Sequence, residues 1–91
     1  MAPRKFSDLA AKAARDPYVL ELPDGTSVSI AQPTVAMWNE VPFSGGMGAV
    51  LLALGVSEDD MERVTAAMQG APLGVADDLV VDIRGHFGLG N

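Results

Sequence analysis

A stretch that alternates between apolar and polar residues constrains this chain more than any other feature. Residues 18–22 alternate with a period of two, and residues 27–30 do so again after the turn at Pro23-Asp24-Gly25-Thr26. Proline sets φ for such a turn, aspartate accepts a hydrogen bond from the backbone, and glycine tolerates a positive φ. The pattern therefore predicts a β-hairpin over residues 18–30.

A two-stranded hairpin is only marginally stable by itself, so its apolar face must be covered. The cover can come from helices of the same chain or from another chain. The open edge of the hairpin is also a predicted contact between copies of the protein. Self-association is predicted for the apolar residues of the hairpin, which are Tyr18, Leu20, Leu22, Val28 and Ile30.

The rest of the chain predicts short helices separated by proline and glycine. Thr34, Ser44 and Ser57 are candidate N-caps, and Gly55 and Gly88 are candidate C-terminal stops. The predicted fold is α+β and mainly α, with an N-terminal β-hairpin followed by a compact bundle of short helices. Residues 1–91 are predicted to form one domain. Its parts are an N-terminal arm or short helix at 1–15, the hairpin at 18–30, a helical body at 34–87 and a loose tail at 88–91.

Three finer predictions concern single side chains. Ser7 could cap a helix within the N-terminal 15 residues, although a frayed basic arm is the alternative. Asp59 and Arg63 are four residues apart in the order that favours an ion pair on a helix. Arg84 is assigned to the solvent face of the last helix, together with its three aspartates.

Composition excludes several classes of function. The 91 residues carry a formal net charge of −6 and include no cysteine. The absence of cysteine rules out disulfides, thiolate zinc sites and cysteine nucleophiles, and predicts a cytosolic protein. The negative charge disfavours binding to the phosphates of nucleic acids.

Membrane insertion is not predicted either. The longest apolar run, 47–56, is shorter than the roughly 20 residues of a membrane span, and no signal segment is visible. Neither nucleic acid nor a membrane is a predicted partner.

Polar residues suited to catalysis are few. His86 follows Asp82 by four residues and Asp78 by eight, so a metal site on one helix face is conceivable. A solvated helix edge is the preferred interpretation. Gly45-Gly46-Met47-Gly48 lacks the Lys-Ser/Thr ending of a phosphate-binding loop, and no serine stands in a Gly-x-Ser-x-Gly motif. The sequence therefore predicts a protein that is not an enzyme and needs no cofactor or metal.

Apolar residues around Pro42 are the best candidates for a binding surface. Trp38 and Phe43 flank this proline in a short connection, where full burial is difficult, and both residue types are favoured at interface centres. The alternative is that the whole cluster, including Leu52, is simply core. The predicted partner-binding residues are Trp38, Val41, Phe43, Met47 and Leu51, with Phe87 and Leu89 at the C-terminal end.

Two short stretches carry a resemblance to a known family. The hairpin contains Glu21-Leu22-Pro23-Asp24-Gly25, and the last helix ends in His86-Phe87-Gly88-Leu89. Together with the order of hairpin and helices, they resemble the short tail assembly chaperones of long-tailed, siphovirus-type phages that infect actinobacteria. The resemblance covers nearly the whole chain in layout and these two stretches in residues.

The resemblance implies a partner and a place of action. Such chaperones bind the tape measure protein and keep it soluble while tail tube subunits polymerise around it. They act in the host bacterial cytoplasm and are absent from the mature virion. The family usually also makes a longer form by ribosomal frameshift, so self-association and binding to a frameshift-extended form are expected. An end at Gly90-Asn91 would suit the short form.

Other functions remain open at this point. One is a small head–tail connector or structural phage protein that stays in the virion. Another is a DNA-binding regulator that uses the basic residues Arg4, Lys5, Lys12 and Arg15, although the acidic body argues against it. An enzyme that depends on His86 is the most distant alternative.

Overall fold

The computed structural model describes residues 3–88 and confirms a mainly helical α+β fold with an early hairpin. Leu89 and most of the predicted tail lie outside these residues. The elements in chain order are α1 (Phe6–Ala13), β1 (Tyr18–Glu21), β2 (Ser27–Ile30), α2 (Val35–Asn39), a 3-10 turn (Phe43–Gly45), α3 (Met47–Ala53), α4 (Glu58–Gln69) and α5 (Val75–Phe87).

The hairpin forms as predicted. β1 and β2 are antiparallel, with Tyr18 opposite Ile30 and Leu20 opposite Val28. In the turn, the backbone N–H of Thr26 donates to Asp24 Oδ1 over 2.9 Å, and Gly25 has a φ of +85°. The bonds from Thr26 lower the pKa of the Asp24 carboxyl, because they stabilise its ionised form. The turn is therefore specified by local chemistry.

We expect Gly25→Ala to lower the free energy of unfolding by roughly 1–2 kcal/mol, because a Cβ disfavours this left-handed backbone. Apart from the two chain neighbours, no heavy atom of residues 3–88 lies within 4 Å of the position that this Cβ would occupy, so backbone strain is the main cost. Gly70→Ala is the matched control, since Gly70 has equally open surroundings and a φ of −97°. Urea unfolding of both variants checks the prediction, and an equal loss in the two would contradict it.

The core lies between the apolar face of the hairpin and helices α3, α4 and α5. Its fully buried centre consists of Val28, Ile30, Leu51, Val64 and Ile83. On α5, the buried residues Leu79, Ile83 and Phe87 recur every four positions and so lie on one face. On α4 only Val64 is fully buried, while Met61 and Met68 pack against the core from its edge. The hairpin's apolar face is thus covered by the chain's own helices.

Helix ends confirm some of the predicted caps and correct others. Thr34 Oγ1 accepts from the N–H of Met37, and Ser57 Oγ accepts from the N–H of Asp60, each over 3.2 Å. Ser7 is not a cap, because α1 already begins at Phe6. Ser44 is not one either: it lies in the 3-10 turn, and α3 begins after Gly46, whose φ of +91° changes the chain direction.

Arg63 has a different partner from the predicted one. Its guanidinium pairs with Asp60 over 2.8 Å, one helical position closer than Asp59. From there it also donates to Thr26 Oγ1 in the hairpin turn. The prediction of an Asp59 pair was wrong because it considered α4 alone, whereas the hairpin turn draws the arginine to the Asp60 side.

Candidate protein-binding surface

An aromatic patch lies where α2, the 3-10 turn and α5 meet. The rings of Trp38 and Phe43 are in edge-to-face contact, with centroids 5.1 Å apart at an angle of 67°. The guanidinium carbon of Arg84 lies 5.6 Å from the Trp38 ring centroid and 5.1 Å from that of Phe43. Both distances fall within the range of cation–π attraction. We call Trp38, Phe43 and Arg84 the aromatic patch.

Arg84 was wrongly assigned to the solvent face of the last helix. It is half-buried, and its buried Nε has no hydrogen-bond partner in the part of the chain that the structure describes. Within residues 3–88, no carboxylate oxygen lies within 4.0 Å of its guanidinium nitrogens. A charged group held over two aromatic rings without an anion is suited to receive a carboxylate from a binding partner.

The predicted partner-binding residues divide into surface and core. Val41, Leu51 and Phe87 are buried, so they support the surface from below instead of forming it. Trp38 and Met47 are half-buried, and Phe43 is 40% exposed. The two aromatic residues of this set contact each other, whereas Val41, Leu51 and Phe87 lie in the core beneath them. Leu89 lies outside the described residues.

The predicted self-association residues also lie inside the molecule. Tyr18, Leu22, Val28 and Ile30 are buried, and Leu20 is half-buried. The chain's own helices cover most of the face that these side chains form, and Leu20 and Leu22 also line a groove between β1, α4 and α5. Self-association through the hairpin stays a prediction for the backbone edges of its two strands and for Leu20 and Leu22.

His86 has a structural position. Its Nε2 lies 2.8 Å from the carbonyl oxygen of Asp16, and its ring is edge-on to Tyr18 with centroids 5.5 Å apart. Asp82 is engaged by the Tyr18 hydroxyl, which donates to it over 2.6 Å. Across residues 3–88 no group of three potential metal ligands comes together. The conceivable site with Asp78 and Asp82 is therefore not assembled there.

An apolar groove lies between β1, α4 and α5 and was not predicted. Its volume is about 170 Å³. We define the apolar groove by its lining residues Leu20, Leu22, Pro23, Val64, Ala67, Met68, Ala71, Val75 and Leu79, with Glu21 on one wall. Small residues near the end of α4, Ala67 and Ala71, were the available signal, because they leave space between a helix and its neighbours.

Comparisons of the chain with protein-family models, with curated proteins and with solved structures gave no match. Among the helices of residues 3–88, none is long and apolar enough to cross a bilayer.

Proposed function

We propose that the protein is a tail assembly chaperone that binds the tape measure protein through the aromatic patch and keeps it soluble while the tail tube forms. The observation that carries the binding surface is the guanidinium of Arg84, which lies over the half-buried Trp38 and the exposed Phe43 and has no carboxylate within 4.0 Å among residues 3–88. The identity of the client rests on the resemblance of the Glu21–Gly25 and His86–Leu89 stretches.

The aromatic patch has the composition that recognition of an amphipathic helix requires. Aromatic residues and arginine are the types that most often dominate interface energies. A client helix would place apolar side chains on the two rings and one acidic side chain against Arg84. Met47 is half-buried, and its flexible thioether can adapt to different client sequences.

The charge of the molecule supports the same role. Residues 16–88 contain eleven acidic and two basic residues. Such an acidic body attracts basic segments of a long client. In this proposal the protein acts in the host bacterial cytoplasm and is absent from the finished virion.

Co-expression with the client tests the proposed surface. The client to use is the long helical protein that we expect to be encoded directly downstream in the phage genome. We expect Phe43→Ser to lower the soluble yield of the client severalfold, because loss of a central aromatic contact weakens affinity by roughly 10-fold or more. Arg84→Gln should have a similar effect by removing the charge.

Val19→Ser is the matched control, because Val19 is 62% exposed on the other side of the hairpin. Thermal unfolding of all variants shows whether a lower soluble yield of the client is due to misfolding of the variant. Full rescue of the client by stable Phe43→Ser and Arg84→Gln variants would contradict the proposed surface. Detection of the chain in purified virions would instead support a structural protein.

A further inference from the structure

The N-terminal helix α1 is separate from the core. None of its residues is buried, and Phe6 and Leu9 are 84% and 43% exposed. The described molecule measures 55 × 27 × 22 Å with a radius of gyration of 14.9 Å. A compact chain of this length has a radius of gyration of about 12 Å. The excess length is what a projecting N-terminal segment produces.

The position of α1 relative to the body is supported by hydrogen bonds. The side chain of Gln32, just after β2, accepts from the backbone N–H of Arg15 over 2.9 Å and donates to the carbonyl of Ala13 over 3.0 Å. The Arg15 guanidinium donates to the carbonyls of Lys12 and Ala14. The two Gln32 bonds hold the end of α1 beside the hairpin, and the Arg15 bonds stabilise the segment that follows the helix, so the helix is presented and not left as a loose arm.

Its sequence makes α1 amphipathic. Phe6, Leu9, Ala10 and Ala13 recur at the spacing that places side chains on one face of a helix. An isolated helix of eight residues is marginal in water, and burial of this face is the usual source of its stability. The exposed apolar face of α1 therefore requires another protein surface to cover it.

Charge identifies the kind of surface that fits. Residues 3–15 contain four basic residues and one acidic residue, whereas residues 16–88 contain eleven acidic and two basic residues. Helix α1 carries one basic and one acidic residue, but Arg4, Lys5 and Arg15 flank it, so this N-terminal segment is complementary in charge to the acidic body of another copy of the same chain. The apolar groove between β1, α4 and α5 offers the required apolar contact there, with Glu21 on its wall. Leu73, which is fully exposed, lies in the chain between groove residues Ala71 and Val75.

We propose that α1 of one molecule docks into the apolar groove of a second copy, with Phe6 and Leu9 in the groove and the basic residues of segment 4–15 against the acidic body. The two contacting surfaces are different, so the interface is head-to-tail and each added copy exposes a new groove. The protein therefore assembles into rings or open chains. This inference concerns self-assembly and does not depend on the identity of the client.

Two variants and their mixture test this proposal with the full chain. Phe6→Asp disrupts the apolar face of α1 that docks, and Ala71→Arg blocks the apolar groove. In sedimentation velocity at low salt, we expect the wild type to form species larger than the 9.5 kDa monomer as concentration rises. We expect each variant to associate at least tenfold more weakly, because a charge is placed in an apolar contact.

The mixture distinguishes a lost interface from a lost fold. Phe6→Asp keeps its groove and Ala71→Arg keeps its helix, so mixing them should restore a two-chain complex that grows no further. Val35→Asp is the control, because Val35 is 78% exposed on α2 and should associate like the wild type. Higher salt should weaken association, since opposite charges attract across the interface.

Three results would overturn the proposal. The first is a wild-type protein that stays monomeric up to millimolar concentration, as it would if α1 docked on its own body or bound only a different partner. The second is undiminished association of Phe6→Asp. The third is a mixture of the two variants that remains monomeric while both variants are folded.

Discussion

Replacing Leu51 with alanine is expected to lower the free energy of unfolding by roughly 2–5 kcal/mol. Leu51 has no exposed surface and lies at the centre of the core, among residues contributed by the hairpin, α4 and α5. The substitution removes apolar contacts and leaves a cavity that its neighbours can fill only in part. A domain of this size has a total stability of about 5–15 kcal/mol, so the loss is a large fraction of the total.

The adjacent Leu52 is the control for this prediction. Leu52 is 46% exposed on α3, so the same change to alanine there should cost about 1 kcal/mol or less. Both variants keep the same helix propensity, because each replaces leucine with alanine in one helix. Urea unfolding followed by circular dichroism measures the difference. Equal losses in the two variants would mean that the core is not centred on Leu51.

The contrast between these two leucines also shows what the sequence could predict. The hairpin, its turn and the caps at Thr34 and Ser57 were predictable, because each depends on residues that are close together in the chain. Leu51 and Leu52 are identical and adjacent, and both belong to one predicted apolar cluster. Which of them is buried depends on how α3 crosses α4, and no local pattern determines that angle.

The candidate surface was predictable only in part, for a similar reason. Trp38 and Phe43 are five residues apart around a proline, and their contact was foreseeable from that spacing. Arg84 joins them from a different helix, about forty residues later in the chain. Helical periodicity placed it among aspartates on the solvent side. The aromatic rings beside α5 override that pattern, because the planar guanidinium packs on them while its charge remains partly hydrated.

Tyr18 is expected to make the stability of the protein fall steeply in base. Its hydroxyl donates to Asp82 Oδ2 over 2.6 Å and joins β1 to α5 across 64 residues of sequence. Burial, followed by the hydrogen bond to Asp82 and the charge of this carboxylate, raises the pKa of Tyr18 from 10.0 to about 12. The folded protein therefore keeps this proton over a range in which the unfolded chain has lost it.

The sign of the effect follows from proton binding. Between pH 10 and about pH 12 the folded state holds more protons than the unfolded state, so the free energy of unfolding decreases as pH rises. One proton changes the unfolding equilibrium by at most about tenfold per pH unit. Tyr18→Phe should be less stable below pH 10, because the hydrogen bond is absent, and should lose less stability above it.

The chain has one tyrosine, so tyrosinate absorbance reports Tyr18 alone. We expect the folded protein to develop this absorbance near pH 12 and the urea-unfolded protein near pH 10. Unfolding free energies of the wild type and Tyr18→Phe, measured at several pH values, should then converge over the same interval. Ionisation of the folded protein near pH 10 would show that the bond to Asp82 does not join the hairpin to α5 as described.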